Sequence, residues 1–173
     1  MAAADLGLAS LLYGTGLRLF EGLRLRVKDI DFSYGQIIVR DGKGSKDRIT
    51  MLPTSIKSAL WEHLKEVKAL HQTDLAASHS RTELPHALAL KYPAAPADWA
   101  WQYVFPAPNL YIDRDTGERR RHHLHPRSIQ RAVKHAARNA RIGKPATPHT
   151  MRHYAERRIM PSPIAFSFVS PWK

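Results

Sequence analysis

Residues 35–52 read GQIIVRDGKGSKDRITML. Two β-rich runs, QIIV and RITM, flank a glycine-containing turn, which predicts a β-hairpin. The chain around it is mostly helical in pattern. Residues 3–13 suit a helix halted by YGTG, with Gly14 and Gly16 as the breakers, and LRLFEGLRLRVKDI suits a second helix from Leu17. After Pro53, TSIKSALWEHLKEVKALHQ puts Ile56, Leu60, Leu64, Val67 and Leu70 on one helical stripe, with Thr54 or Ser55 as the cap. Residues 73–98 are irregular apart from a short helix at LPHALALKY. The run WAWQYVF fits a strand or a buried aromatic segment, and DRDTGERR fits an exposed turn. Helices, one hairpin and then helices, with no internal repeat, predict a mainly helical α+β domain.

Composition narrows the function classes. A chain of 173 residues can bury an independent core, and 43% apolar with 24% charged residues is ordinary for a soluble globular domain. The charge is not ordinary: 27 Lys and Arg against 15 Asp and Glu give a net charge of +12. Such an excess attracts polyanions, nucleic acid first among them. The absence of cysteine excludes disulfide scaffolds, thiolate zinc sites and a Cys nucleophile. No stretch approaches the roughly 18 apolar residues of a membrane helix, and MAAADLGLASLLYG lacks the basic start of a signal peptide. The expectation is a soluble, cytoplasmic protein with no membrane partner.

The charge is concentrated in PRSIQRAVKHAARNARIG, residues 126–143. As a helix, this segment gathers Ile129, Ala132, Val133, Ala136, Ala137 and Ala140 on one face. Arg127, Arg131, Lys134, Arg138 and Arg141 fall on the opposite face, which carries no acid. A charged face is usually a solvated one, but a face of cations alone points toward contact with a DNA backbone.

Three further places combine a cation with a glycine turn or a helix start. Arg18 opens a helix with Glu21 one turn on, a spacing at which a carboxylate can steady a guanidinium. Taken alone, that pair is a surface ion pair worth under about 1 kcal/mol. Lys43 stands between Gly42 and Gly44 at the hairpin tip. In ATPHTMRH, Thr147 is placed as a cap and Pro148 as the first helical residue, so His149 and Arg152 share the first turns of a helix. A helix start favours anions, and the imidazole and guanidinium strengthen that preference.

Taken together and in this order, an Arg, a hairpin Lys and a His-x-x-Arg helix resemble the catalytic domain of the tyrosine recombinases, the λ-integrase-like family. The phrases LLYGTGLR, LRVKDIDF, IIVRDGKGSKDR, MLP and KPATPHTMRH carry the resemblance from about Leu11 to His153. LPHALALKYP, VFPAP and RRRHHLHPRSIQRA are similar to the integron integrase branch of bacteria. The resemblance implies metal-free, cofactor-free site-specific recombination and DNA integration through a covalent phosphotyrosine. It also implies double-stranded DNA and other recombinase protomers as partners, and a location with the nucleoid. Arg18, Arg152 and His149 would bind the scissile phosphate and neutralise charge as it becomes five-coordinate. Lys43 would protonate the departing 5′-oxygen, and Glu21 would brace Arg18. HHLH at 122–125 has no accompanying cluster of carboxylates or cysteines, so no metal site is expected there.

The family pattern continues past its His-x-x-Arg-His with a glycine–His pair and a nucleophilic Tyr. Here the sequence reads YAERRIMPSPIAFSFVSPWK, with three prolines. The expectation is therefore a partial catalytic domain over residues 1–153 and a non-family tail over 154–173, truncated at both ends and with the C-terminal helices missing. None of the six tyrosines is assigned as nucleophile. Tyr154, two residues beyond Arg152, would point about 200° away from it on a helix. A chain of this kind would not cleave DNA by itself. The alternative is a non-catalytic DNA-binding remnant that occupies sites or pairs with a full-length recombinase.

Overall fold

The computed structural model describes residues 3–40, 47–79, 81–84 and 86–159. Helix α1, Ala3–Thr15, supplies Leu8, Leu11 and Leu12 to the core, all fully buried. It runs two residues further than expected, through Gly14 to Thr15. It ends where Gly16 takes φ 68°, a left-handed value that favours glycine, and donates its N–H to the Leu12 carbonyl at 3.1 Å.

The helix expected from Leu17 to Ile30 divides into three pieces: α2 over Leu19–Leu23, a 3-10 turn over Val27–Asp29, and strand β1 over Ile30–Asp31. Tertiary pairing overrides helical propensity here. The Val27 N–H donates to the Gln102 carbonyl at 3.0 Å, and the Val104 N–H donates to Leu25 at 2.9 Å. Meanwhile the Arg26 guanidinium turns inward to the Trp101 and Glu83 carbonyls, the Thr82 hydroxyl and the Tyr103 hydroxyl. Helix α2 sits close against α1 because Gly22 has no side chain. A Cβ there would lie 2.9 Å from methyl groups of both Leu8 and Leu12.

The hairpin is present as β2, Gln36–Val39, and β3, Arg48–Met51. They pair antiparallel with Ile37 opposite Thr50, and β1 adds a third strand with Ile30 opposite Ile37, giving the order β1-β2-β3. Helix α3, Thr54–Ala76, buries Leu60, Leu64 and Val67 as the stripe required. Its cap differs: Thr54 is already helical, Pro53 is the N-cap, and no side chain caps the helix. A short α4, His86–Lys91, falls inside LPHALALKY.

WAWQYVF is neither a regular strand nor a purely irregular segment. A 3-10 turn over Trp99–Trp101 leads to a single bridge between Arg26 and Tyr103, and Tyr103, Val104 and Phe105 are buried. DRDTGERR is a turn that joins two short strands, β4 (Tyr111–Ile112) and β5 (Arg119–Arg120). Helices α5, Pro126–Asn139, and α6, Pro148–Ile159, complete the fold. Both pack on α1 and on each other, and the core joins Leu17, Leu23, Ile37, Phe105, Ile129 and Val133 to the leucines of α1. The architecture is α+β and mainly helical with a small antiparallel sheet. Among the described residues, no helix is long and apolar enough to cross a membrane.

Candidate active site

Glu21 is the fixed point of the site. It stands in the first turn of α2 with only 8% of its side chain exposed. Its Oε2 accepts the Arg18 backbone N–H at 2.7 Å, closing the helix N-terminus, and its Oε1 accepts Arg18 Nη1 at 3.2 Å. A third donor comes from the sheet, where Arg48 Nη2 reaches Glu21 Oε2 at 2.7 Å. One carboxylate therefore holds two guanidinium groups, and the local charge is a net positive one. Arg18 and Arg48 each leave 41% of the side chain exposed. Thr50 adds a second tie, donating its hydroxyl to the Thr15 carbonyl at 3.3 Å. Strand β3 is thus docked on the junction between α1 and α2.

Arg18 and Glu21, one turn apart in the sequence, are in contact in the structure. Arg48 was missed, and its contact spans 27 residues of chain. The only hint in the sequence is its place in the strand that leaves the hairpin turn, on the same return as Lys43. Lys43 itself, with residues 41–46, lies outside the described residues.

Helix α6 starts as its sequence requires. Thr147 Oγ1 accepts the Thr150 N–H at 3.1 Å, Thr150 Oγ1 accepts the Thr147 N–H at 2.8 Å, and Pro148 takes the first helical position. Met151 packs against the core. His149 is exposed, and Arg152 is half-buried at the edge of the packed face. His149 Nε2 lies 3.0 Å from His153 Nε2. The fold brings α2 and α6 to the same helix, α1, so that the elements bearing Arg18 and Glu21 and those bearing His149 and Arg152 share one support.

Helix α5 presents the basic face. Ile129, Ala132, Val133 and Ala137 are buried, and Arg127, Arg131, Lys134 and Arg138 are exposed. Arg127, Arg131 and Lys134 line a shallow open groove with His125, Ser128 and Gln130. His125 caps this helix, its Nδ1 accepting the Arg127 N–H at 3.2 Å. The fifth cation departs from the expected stripe. The helix ends at Asn139, and Arg141 follows at φ 52°, beyond the helical face.

Other cations in the basic segments serve the scaffold. Arg121 makes a paired contact with Asp74, at 2.6 and 2.8 Å, with both side chains nearly buried. Arg120 pairs with Asp113 at 2.7 Å. Arg26 lies over the Tyr103 ring at 3.9 Å, and burial lowers the pKa of its guanidinium. Burial also raises the Tyr103 phenol above its ordinary value. The His122 and His123 rings lie 4.0 Å apart, inclined at 56°, beside Tyr103, and no group of three or more metal-ligating side chains occurs among the described residues. Of the other tyrosines, Tyr34 stands 80% exposed beyond β1, while Tyr154 lies two residues past Arg152 on α6.

The sequence pattern of the Phage integrase family matches residues 1–170. The chain is 52% identical over 145 residues to an integrase/recombinase of Escherichia coli, covering 84% of this chain and 43% of that protein. It is equally similar to an integrase/recombinase of Pseudomonas aeruginosa. The tyrosine recombinase XerA of Pyrococcus furiosus is 28% identical over 143 residues, 83% of this chain and 36% of that protein. A crystal structure of XerA recombinase superimposes with a TM-score of 0.56 at 23% identity, over 91% of this chain and 43% of that one, a likeness of fold. The chain spans less than half the length of these relatives.

Proposed function

Because this chain belongs to the Phage integrase family, we propose that it is the phosphate-handling part of a tyrosine recombinase acting in site-specific DNA recombination and integration, of the integron integrase branch. Double-stranded DNA is its partner, together with other recombinase protomers. The observation that carries the reading is the Glu21 carboxylate held between Arg18 and Arg48 at the support shared with α6.

In this reading Arg18 and Arg152 bind the non-bridging oxygens of a DNA phosphate, and His149 donates a hydrogen bond to the same group. Their positive charge offsets the charge that gathers as the phosphorus becomes five-coordinate. Glu21 keeps the Arg18 fork aimed, and Arg48 keeps the hairpin in register with it. Lys43 protonates the departing 5′-oxygen. Arg127, Arg131, Lys134 and Arg138 on α5, with Arg141 beyond it, hold the flanking backbone and fix orientation without reading sequence.

The nucleophile is assigned to none of the six tyrosines. Tyr103 is buried beneath Arg26, and Tyr154 is carried around α6 away from Arg152. In this reading residues 1–153 form the catalytic portion, while the family match itself runs to residue 170 and α6 continues unbroken to Ile159. A nicked suicide DNA substrate tests this directly. The chain alone should give no covalent protein–DNA product, and a covalent band mapped to any of these tyrosines would overturn the assignment. Mixed with a full-length relative whose arginines are disabled but whose Tyr is intact, the chain should restore cleavage. Failure to do so leaves the second reading, a non-catalytic DNA-binding remnant, which the exposed face of α5 supports.

A further inference from the structure

His149 and His153 are four residues apart on α6, so one helical turn brings their rings to the same face. Their Nε2 atoms lie 3.0 Å apart, the rings are inclined at 80°, and both side chains are exposed. With metal–nitrogen bonds of about 2.0–2.1 Å, this separation corresponds to a nitrogen–metal–nitrogen angle of roughly 95°. That is nearer the right angle of square-planar and octahedral ions than the tetrahedral angle, which favours Cu²⁺ and Ni²⁺ over Zn²⁺.

We propose that His149 and His153 form a two-histidine chelate for a divalent late transition-metal ion, Cu²⁺ or Ni²⁺ ahead of Zn²⁺. At present one ring donates a hydrogen bond from Nε2 to the other. On binding, the donor ring moves its proton to Nδ1, and both Nε2 lone pairs face the ion. A neutral pair therefore releases no net proton. Among the described residues, no group of three or more His, Cys, Asp or Glu side chains could hold a metal ion, so the proposed site is a two-histidine one. The contrast within the molecule is His122–His123, whose rings are 4.0 Å apart but pack against Tyr103 and Tyr111.

Calorimetric titration of Cu²⁺ and Ni²⁺ into the intact chain at neutral pH, without DNA, tests the site. His149→Gln and His153→Gln should each weaken the strongest binding by about tenfold or more, since a single imidazole loses the chelate advantage. His122→Gln should leave it unchanged. Affinity within twofold of the parent in His153→Gln would overturn the proposal. Imidazole NMR of the unmutated chain decides independently of how the variants fold. Sub-stoichiometric Ni²⁺ should broaden the His149 and His153 signals first, and broadening first at His122 and His123 would overturn it. The outcome does not depend on whether the chain handles DNA phosphates.

Discussion

At the residue scale, Glu21 carries the most consequence. A carboxylate 8% exposed and shared by two guanidinium groups resists replacement, because its loss leaves two like charges facing each other. Both arginines are substantially exposed, so solvent screens part of the cost. Glu21→Gln should lower stability by about 1–2 kcal/mol, read as a fall in the thermal midpoint. Arg48→Ala, which leaves the Arg18 pair intact, should cost less. Equal midpoints for Glu21→Gln and the parent would show that the three groups do not act together. Half of this arrangement was legible in the sequence. The Arg18–Glu21 spacing is local, whereas the approach of Arg48 exists only after β3 has docked on the α1–α2 junction.

Two histidines give the molecule a pH dependence of known sign. Burial lowers the pKa of His71 and of His123 from the ordinary 6.5. The unfolded chain takes up these protons near pH 6.5 while the folded chain resists them. The stability linked to these rings is therefore complete above pH 6.5, and it is lost as pH falls from there through their folded-state values. The thermal midpoint should drop between pH 7.5 and 5.5, and His71→Gln or His123→Gln should flatten the drop. A midpoint that rises over this range would contradict the assignment.

At the element scale, legibility followed the range of the interactions. The α3 stripe and the α5 faces were readable because period and burial act within one helix. The second helix was misread because Arg26 and Val27 bond to residues about 75 positions away, which no local pattern encodes. Helix α2 also depends on close approach. In Gly22→Ala the new methyl would meet Leu8 and Leu12, both fully buried, and we expect a loss of about 1–3 kcal/mol by overpacking. Unchanged stability would mean that α2 can retreat from α1 without cost. The cap of α3 was misplaced for a smaller reason: with Pro53 as N-cap, Thr54 already lies inside the helix.

Across the whole molecule, the net charge of +12 is neither evenly spread nor wholly available. Arg26, Arg120 and Arg121 are committed to internal partners. The exposed cations of α5, Arg18 with 41% of its side chain exposed, and the half-buried Arg152 surround a scaffold built around α1. The central claim is that these outward groups bind DNA phosphates. Affinity for a duplex measured across salt concentrations tests it most directly, on the parent, on Arg18→Ala and Arg152→Ala, and on the Arg131→Ala/Lys134→Ala double variant. We expect a steep log–log decline for the parent. The slope should flatten by about 0.9 for each phosphate contact removed. A parent slope near zero, or one that none of these substitutions alters, would contradict the claim.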